Sequence, residues 1–350
     1  MKKSIERIAG DTEGVTYEFP VYRIEGSSPD APTAYLQAAL HSCELPGTVA
    51  IHALMKRLRK AEVEGRIRGS MTIVPSANPI GSTQMLFGEL HGRFHFDTRR
   101  NFNRGFPLLD QPDASSLRRD AEVATADQNL KARLLQLSMG HDIVLDLHCA
   151  YEGVPYLYAP SMLWPAIADC ASALRLEAVL FASDLGDGEF EVAAIHPYLK
   201  ASPEVARIDR RVVATVEFRG MRDVDPRLAE SDAEGLYRLL VWRGVVSDEA
   251  IGPKEPYAGI AAPLENLEMM RAPCSGAVLY HVDPGDRVEK GHLLATIVHS
   301  PGELEGETAI PAPQSGYVLT RHMHRFARRG SDLMKIIGDK RSATEVVVEE

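Results

Sequence analysis

His41 and Glu44 stand three residues apart in the segment HSCE. At that spacing an imidazole nitrogen and a carboxylate oxygen reach one point from a single turn of chain, and both atom types suit zinc. Two ligands leave a catalytic site one short. His148, in the segment DLHC, offers a third from a distant part of the chain. Two histidines and one glutamate leave a fourth position for water, the pattern of a catalytic zinc site rather than a closed structural one. Asp146, two residues before His148, falls on the same side of an extended strand and is placed to orient that ligand from behind. HxxE by itself is a weak signal, and a lone histidine is more often a hydrogen-bonded core residue. The weight lies in the combination.

That combination needs elements to hold it. Thr33–Leu40, Ile143–Leu147 and Val212–Val216 are short apolar runs that read as buried strands. His41, His148 and Glu217 are the first ionisable residues after these runs. In open α/β sheets ligands lie beyond the carboxyl ends of the strands. Met71–Pro75 reads as a further strand. Ala50, Leu54 and Leu58 mark one face of a helix, a second helical stretch precedes Ile143, and Arg227–Gly244 reads as a third. Ser76–Pro112 has no period but is rich in Gly, Asn, Arg and aromatics, as functional loops are. Strands alternating with helices predict an α/β fold with a mixed β-sheet flanked by helices.

Near residue 255 the character changes. Short β-prone runs alternate with Gly and Pro turns, and APCSGAVL at Ala272 recurs as APQSGYVL at Ala312. Two copies of one unit predict a small β-sandwich with pseudo-twofold symmetry. The chain divides on this reading into residues 1–254, which carry the chemistry, and residues 255–350, a small all-β domain.

Composition narrows the partners. The formal net charge is −10, which gives no electrostatic reason to bind nucleic acid or an anionic membrane surface. No apolar run reaches the length of a membrane span, and MKKSIERIAG lacks the apolar core of a secretory signal. Four scattered cysteines, Cys43, Cys149, Cys170 and Cys274, form no CxxC pair, as expected of a cytoplasmic protein with reduced thiols. A homo-oligomer is neither predicted nor excluded.

The ordered segments HSCE, NP, RNFNRGFP, DLH and TVE resemble the succinylglutamate desuccinylase/aspartoacylase family, a branch of the zinc carboxypeptidase superfamily. The resemblance covers roughly residues 30–340. It implies a zinc carboxypeptidase-like fold and one Zn2+ per chain on His41, Glu44 and His148. It implies that Glu217 is the general base, and that Asn103 and Arg104 clamp a substrate carboxylate. The family's Asp-Leu before that pair is replaced here by Asn101-Phe102. An upstream arginine would polarise the scissile carbonyl: Arg93 is the candidate, with Arg99 and Arg100 open. The implied activity is hydrolysis of the amide bond of an N-acyl amino acid or related small molecule bearing a carboxylate. A carboxypeptidase acting on peptides is the alternative, and a binding or carrier protein a third reading. Residues 272–338 are similar to biotinyl/lipoyl domains, yet the segment Val298–Pro311 between the two halves has no lysine to modify; Lys290 and Lys335 lie elsewhere.

Overall fold

The computed structural model describes residues 1–118, 124–183, 186 and 188–343. Its centre is a nine-stranded mixed sheet in the order Lys2–Ala9, Thr16–Ile24, Met71–Val74, Ala34–Ala38, Ile143–Ala150, Val212–Gly220, Tyr156–Pro160, Ala178–Ala182, Ile260–Pro263. Four central strands, from Met71–Val74 to Val212–Gly220, are parallel. Every residue of Ala34–Ala38 and Ile143–Ala150 is buried, which explains continuous apolar runs in place of alternation.

Helices Pro46–Val63 and Pro226–Trp242 pack against each other beside the sheet. The second is capped by Asp225, whose side chain accepts from the N–H groups of Arg227 and Leu228. Helix Ala126–Ser138 begins with a reciprocal box between Thr125 and Gln128. Gly47, in the first turn of Pro46–Val63, permits a close approach. A Cβ there would lie 2.7 Å from Cβ of Leu147 and 2.9 Å from its carbonyl oxygen. Helix and strand therefore touch one residue before His148.

Two strands run further than their apolar runs predict. His148 and Glu217 lie inside Ile143–Ala150 and Val212–Gly220, not just past them. The parallel ladder continues through the pair Glu217 and His148, and its register shifts only before Gly220. The strand Ile260–Pro263 pairs in parallel with Ala178–Ala182, so the chain returns to the large sheet after residue 255.

Residues 267–338 then supply four strands to each of two antiparallel sheets, the first of which is joined by a fifth strand, Glu152–Gly153. One contains Leu267–Arg271, Asp332–Gly338, Gly316–Arg321 and Arg287–Val288; the other Glu307–Pro311, Leu293–Val298, Gly276–Tyr280 and Phe326–Ala327. The two echoed segments fall one in each sheet. Their glycines meet the same obstruction. A Cβ on Gly276 would lie 2.3 Å from the carbonyl oxygen of Val298, and one on Gly316 2.4 Å from that of Ile337. Among the described residues no helix is long and apolar enough to cross a membrane.

Candidate metal centre

The strand Ala34–Ala38 leaves the sheet through Ala39, whose φ of 56° is left-handed. A non-glycine residue in that region costs about 1 kcal/mol or more and persists where its surroundings enforce it. Asn78 enforces it here: its Nδ2 donates to the Leu40 carbonyl, and its Oδ1 accepts from Gly81 N–H. Ser42 N–H is tied to the Gly92 carbonyl, and Glu44 N–H to that of His41. This turn aims His41 and Glu44 at His148.

Ligand atoms of His41, Glu44 and His148 lie within 4.8 Å of one another, and all three residues are buried. His41 Nδ1 is 2.9 Å from Glu44 Oε1, and His148 Nδ1 is 2.8 Å from Glu44 Oε2. The outer nitrogen of each ring has its own partner. His41 Nε2 lies 2.6 Å from Asn101 Oδ1, and His148 Nε2 lies 2.8 Å from Asp146 Oδ2. Asn101 Oδ1 also accepts from Asn103 N–H, so at Asn101 His41 Nε2 is the donor. Burial lowers the His41 pKa to about 4, which keeps the ring neutral and turns the Nδ1 lone pair toward the Glu44 carboxylate. Two imidazole rings and a carboxylate converging on one point, with the outer ring nitrogens held by hydrogen bonds, form a residue set that fits a divalent cation.

Burial alone would raise the Glu44 pKa, but His41, Arg93 and His148 pull it well below its ordinary range. Burial likewise opposes a charge on His148, yet the Asp146 and Glu44 carboxylates raise its pKa well above the usual value. Cys149, beside His148, steadies the carboxylate through its backbone: its N–H donates to Glu44 Oε2 at 3.1 Å.

Glu217 is the register partner of His148 on the adjacent strand, and so shares its face of the sheet. Its carboxyl is pushed up to about 7, first by burial and then by Glu44. Its Oε2 is buried with no hydrogen-bond partner among the described residues.

The aperiodic stretch supplies the arginine. Arg93 Nη2 donates to Glu44 Oε1 at 2.6 Å, and its guanidinium lies 5.4 Å from the centre of the Tyr151 ring. Gln84 holds this loop: its Nε2 donates to the carbonyls of His91 and Phe94, and its Oε1 accepts from Phe96 N–H. Arg99 and Arg100 are exposed. Asn103 is buried, and its Oδ1 accepts from Phe190 N–H at the start of helix Phe190–Ile195. Arg104 Nε lies 3.4 Å from Glu189 Oε1, and its Nη1 donates to the Asn103 carbonyl. Asn101 is the residue that pattern reasoning missed. Its only signal was a departure: it stands where the resemblance expects an aspartate.

Residues 30–243 match the succinylglutamate desuccinylase/aspartoacylase catalytic domain. The N-alpha-acetyl-L-2,4-diaminobutyric acid deacetylase of Halomonas elongata is 27% identical over 309 residues, covering 88% of this chain and 82% of that protein. A succinylglutamate desuccinylase/aspartoacylase family protein from Shewanella amazonensis shares the fold with a TM-score of 0.83 at 24% identity, over 97% of this chain and 99% of that one. The product-bound ectoine utilization protein EutE (DoeB) of Ruegeria pomeroyi shares it with a TM-score of 0.68 at 19% identity, over 95% and 94% of the two chains. The match spans the turn of His41, the strand of His148 and the strand of Glu217, and the chain belongs to the succinylglutamate desuccinylase/aspartoacylase family.

Proposed function

We propose that this protein is a zinc-dependent deacylase that hydrolyses the amide bond of an N-acyl amino acid or a related small molecule bearing a carboxylate. The observation that carries the reading is the convergence of His41 Nδ1, His148 Nδ1 and Glu44 on one point. The diaminobutyrate deacetylase named above supports the substrate class.

His41, Glu44 and His148 would hold one zinc ion, with Asn101 and Asp146 fixing the two rings. Bound there, zinc supplies a Lewis acid that polarises a carbonyl and makes water more acidic. Glu217 would take the proton of the attacking water on its unpartnered Oε2 and pass it to the leaving nitrogen. Arg93, already within hydrogen-bond distance of Glu44, would stabilise negative charge growing on the carbonyl oxygen. Arg104, with the buried Asn103 beside it, would hold the substrate carboxylate with its planar fork. The two small sheets would form a biotinyl/lipoyl-like unit that shapes the mouth of the site.

Two measurements test the reading together. Elemental analysis of purified protein should find one zinc per chain. A panel of N-acetyl and N-succinyl amino and diamino acids, run beside C-terminally free peptides, should show turnover confined to the acyl amino acids. Turnover of peptides alone would replace the proposal with a carboxypeptidase.

A further inference from the structure

A charged residue of the C-terminal sheets is buried where an apolar one is expected. Lys335 is 2% exposed in the strand Asp332–Gly338. By strand alternation it shares a face with Ile337. Ile337 packs with Leu319 and Leu267 of its own sheet against Tyr156, Ala178 and Leu180 of the large sheet. Tyr156 is the register partner of Glu217, and Glu217 that of His148. The C-terminal sheet therefore covers the same face of the large sheet that carries the metal ligand and the proposed base, one strand away from them.

The cover is fixed in place close to the site. Thr320, the register partner of Lys335, bridges to Gly153, five residues after His148. Arg321 Nε donates to Glu152 Oε2 at 2.6 Å, and Arg325 Nη2 donates to both Glu152 oxygens at 2.9 Å. The rings of His322 and Tyr151 are 4.2 Å apart, and Tyr151 is the ring beneath Arg93.

A buried ammonium costs several kcal/mol unless an opposite charge compensates it. We propose that Lys335 is a positioning residue for Glu217: the C-terminal sheet carries its ammonium across the interface to orient the carboxylate, so that both parts of the chain build one site. Lys335 lies close enough to Glu217 for their charges to interact. The base role of Glu217 belongs to the deacylase reading, and the proposal rests on it for function but not for the pairing.

The test uses the full chain. A double-mutant cycle of unfolding stability compares wild type, Lys335→Met, Glu217→Gln and the double variant. A paired couple makes the double variant less destabilised than the sum of the singles; additive effects would overturn the pairing. Kinetics then separate roles. In Lys335→Met, kcat should fall about 10- to 100-fold at unchanged zinc content, with KM within about threefold, because a displaced base slows chemistry. Lys335→Arg should recover most of the loss. A rise in KM at constant kcat would overturn positioning and make Lys335 a substrate anchor. Coupling in a wild type that hydrolyses no acyl amino acid would keep the pairing and remove the deacylase reading instead.

Discussion

Glu217 and His148 face each other as register partners on adjacent parallel strands, and no loop intervenes between them. Sites built on rigid strands hold their geometry better than sites on loops. Here the ladder sets the separation of the third ligand and the proposed base.

Glu217→Gln should therefore leave the site's architecture intact. Gln preserves shape and removes the base, so zinc content should equal that of wild type while kcat falls by about 100-fold or more. Parallel metal analysis and steady-state kinetics check this. Turnover near the wild-type level would place the base elsewhere.

Asn101 holds the outer nitrogen of His41. Asn101→Ala should weaken zinc affinity about 10- to 100-fold, the usual cost of removing a partner behind a ligand. His41→Ala should abolish binding outright. A competition titration with a chromogenic chelator measures both. Equal affinity of Asn101→Ala and wild type would mean that the Asn101 hydrogen bond is incidental.

How far the site could be read from sequence follows from where polarity breaks an apolar run. His41, His148 and Glu217 each interrupt buried strand sequence, so they stood out. The same rule misplaced the strand ends. An apolar run stops at the first polar residue, but the backbone ladder of Val212–Gly220 continues through Glu217 because its side chain turns toward the site. The first hairpin, Lys2–Ala9 with Thr16–Ile24, was not legible because most residues of Lys2–Ala9 are partly or wholly exposed and leave no continuous apolar run. Lys335 was seen only as a lysine in a strand, since its burial depends on a face packed by residues as distant in the chain as Tyr156, Ala178 and Leu180.

Arg104 touches neither Glu44 nor a ligand histidine in the hydrogen bonds described above; it sits against Glu189 and the Asn103 carbonyl. Its replacement should spare the metal. Arg104→Ala should raise KM for carboxylate-bearing substrates about tenfold or more at full zinc content, and Arg104→Lys should recover little, because a point charge does not reproduce a planar fork. An unchanged kcat/KM in Arg104→Ala would refute the role.

The hairpin joining Leu293–Val298 to Glu307–Pro311 spans His299–Gly306 and contains no lysine. Lys335 is buried in a strand. Intact mass after co-expression with biotin and lipoyl ligases should equal that of the unmodified chain. A stoichiometric adduct on this part of the chain would make it a carrier.

Glu191 gives a stability prediction that needs no metal chemistry. It lies in helix Phe190–Ile195, buried, with Oε2 lacking a partner among the described residues. Burial, with help from Glu189, pushes its carboxyl up to about 7 from an ordinary 4.5. Below pH 4.5 the group is protonated in both folded and unfolded chains, and its contribution is complete. Between pH 4.5 and about 7 the unfolded chain ionises while the folded chain keeps its proton, so stability falls as pH rises. The loss levels off above pH 7 at about 3 kcal/mol, taking 1.36 kcal/mol per pH unit. Glu191→Gln removes the titration while keeping an uncharged side chain of similar shape. It should be more stable than wild type at pH 8, with a flatter profile between pH 5 and 7. Urea unfolding across that range measures both slopes. Parallel profiles for the two proteins would show that Glu191 ionises freely in the fold.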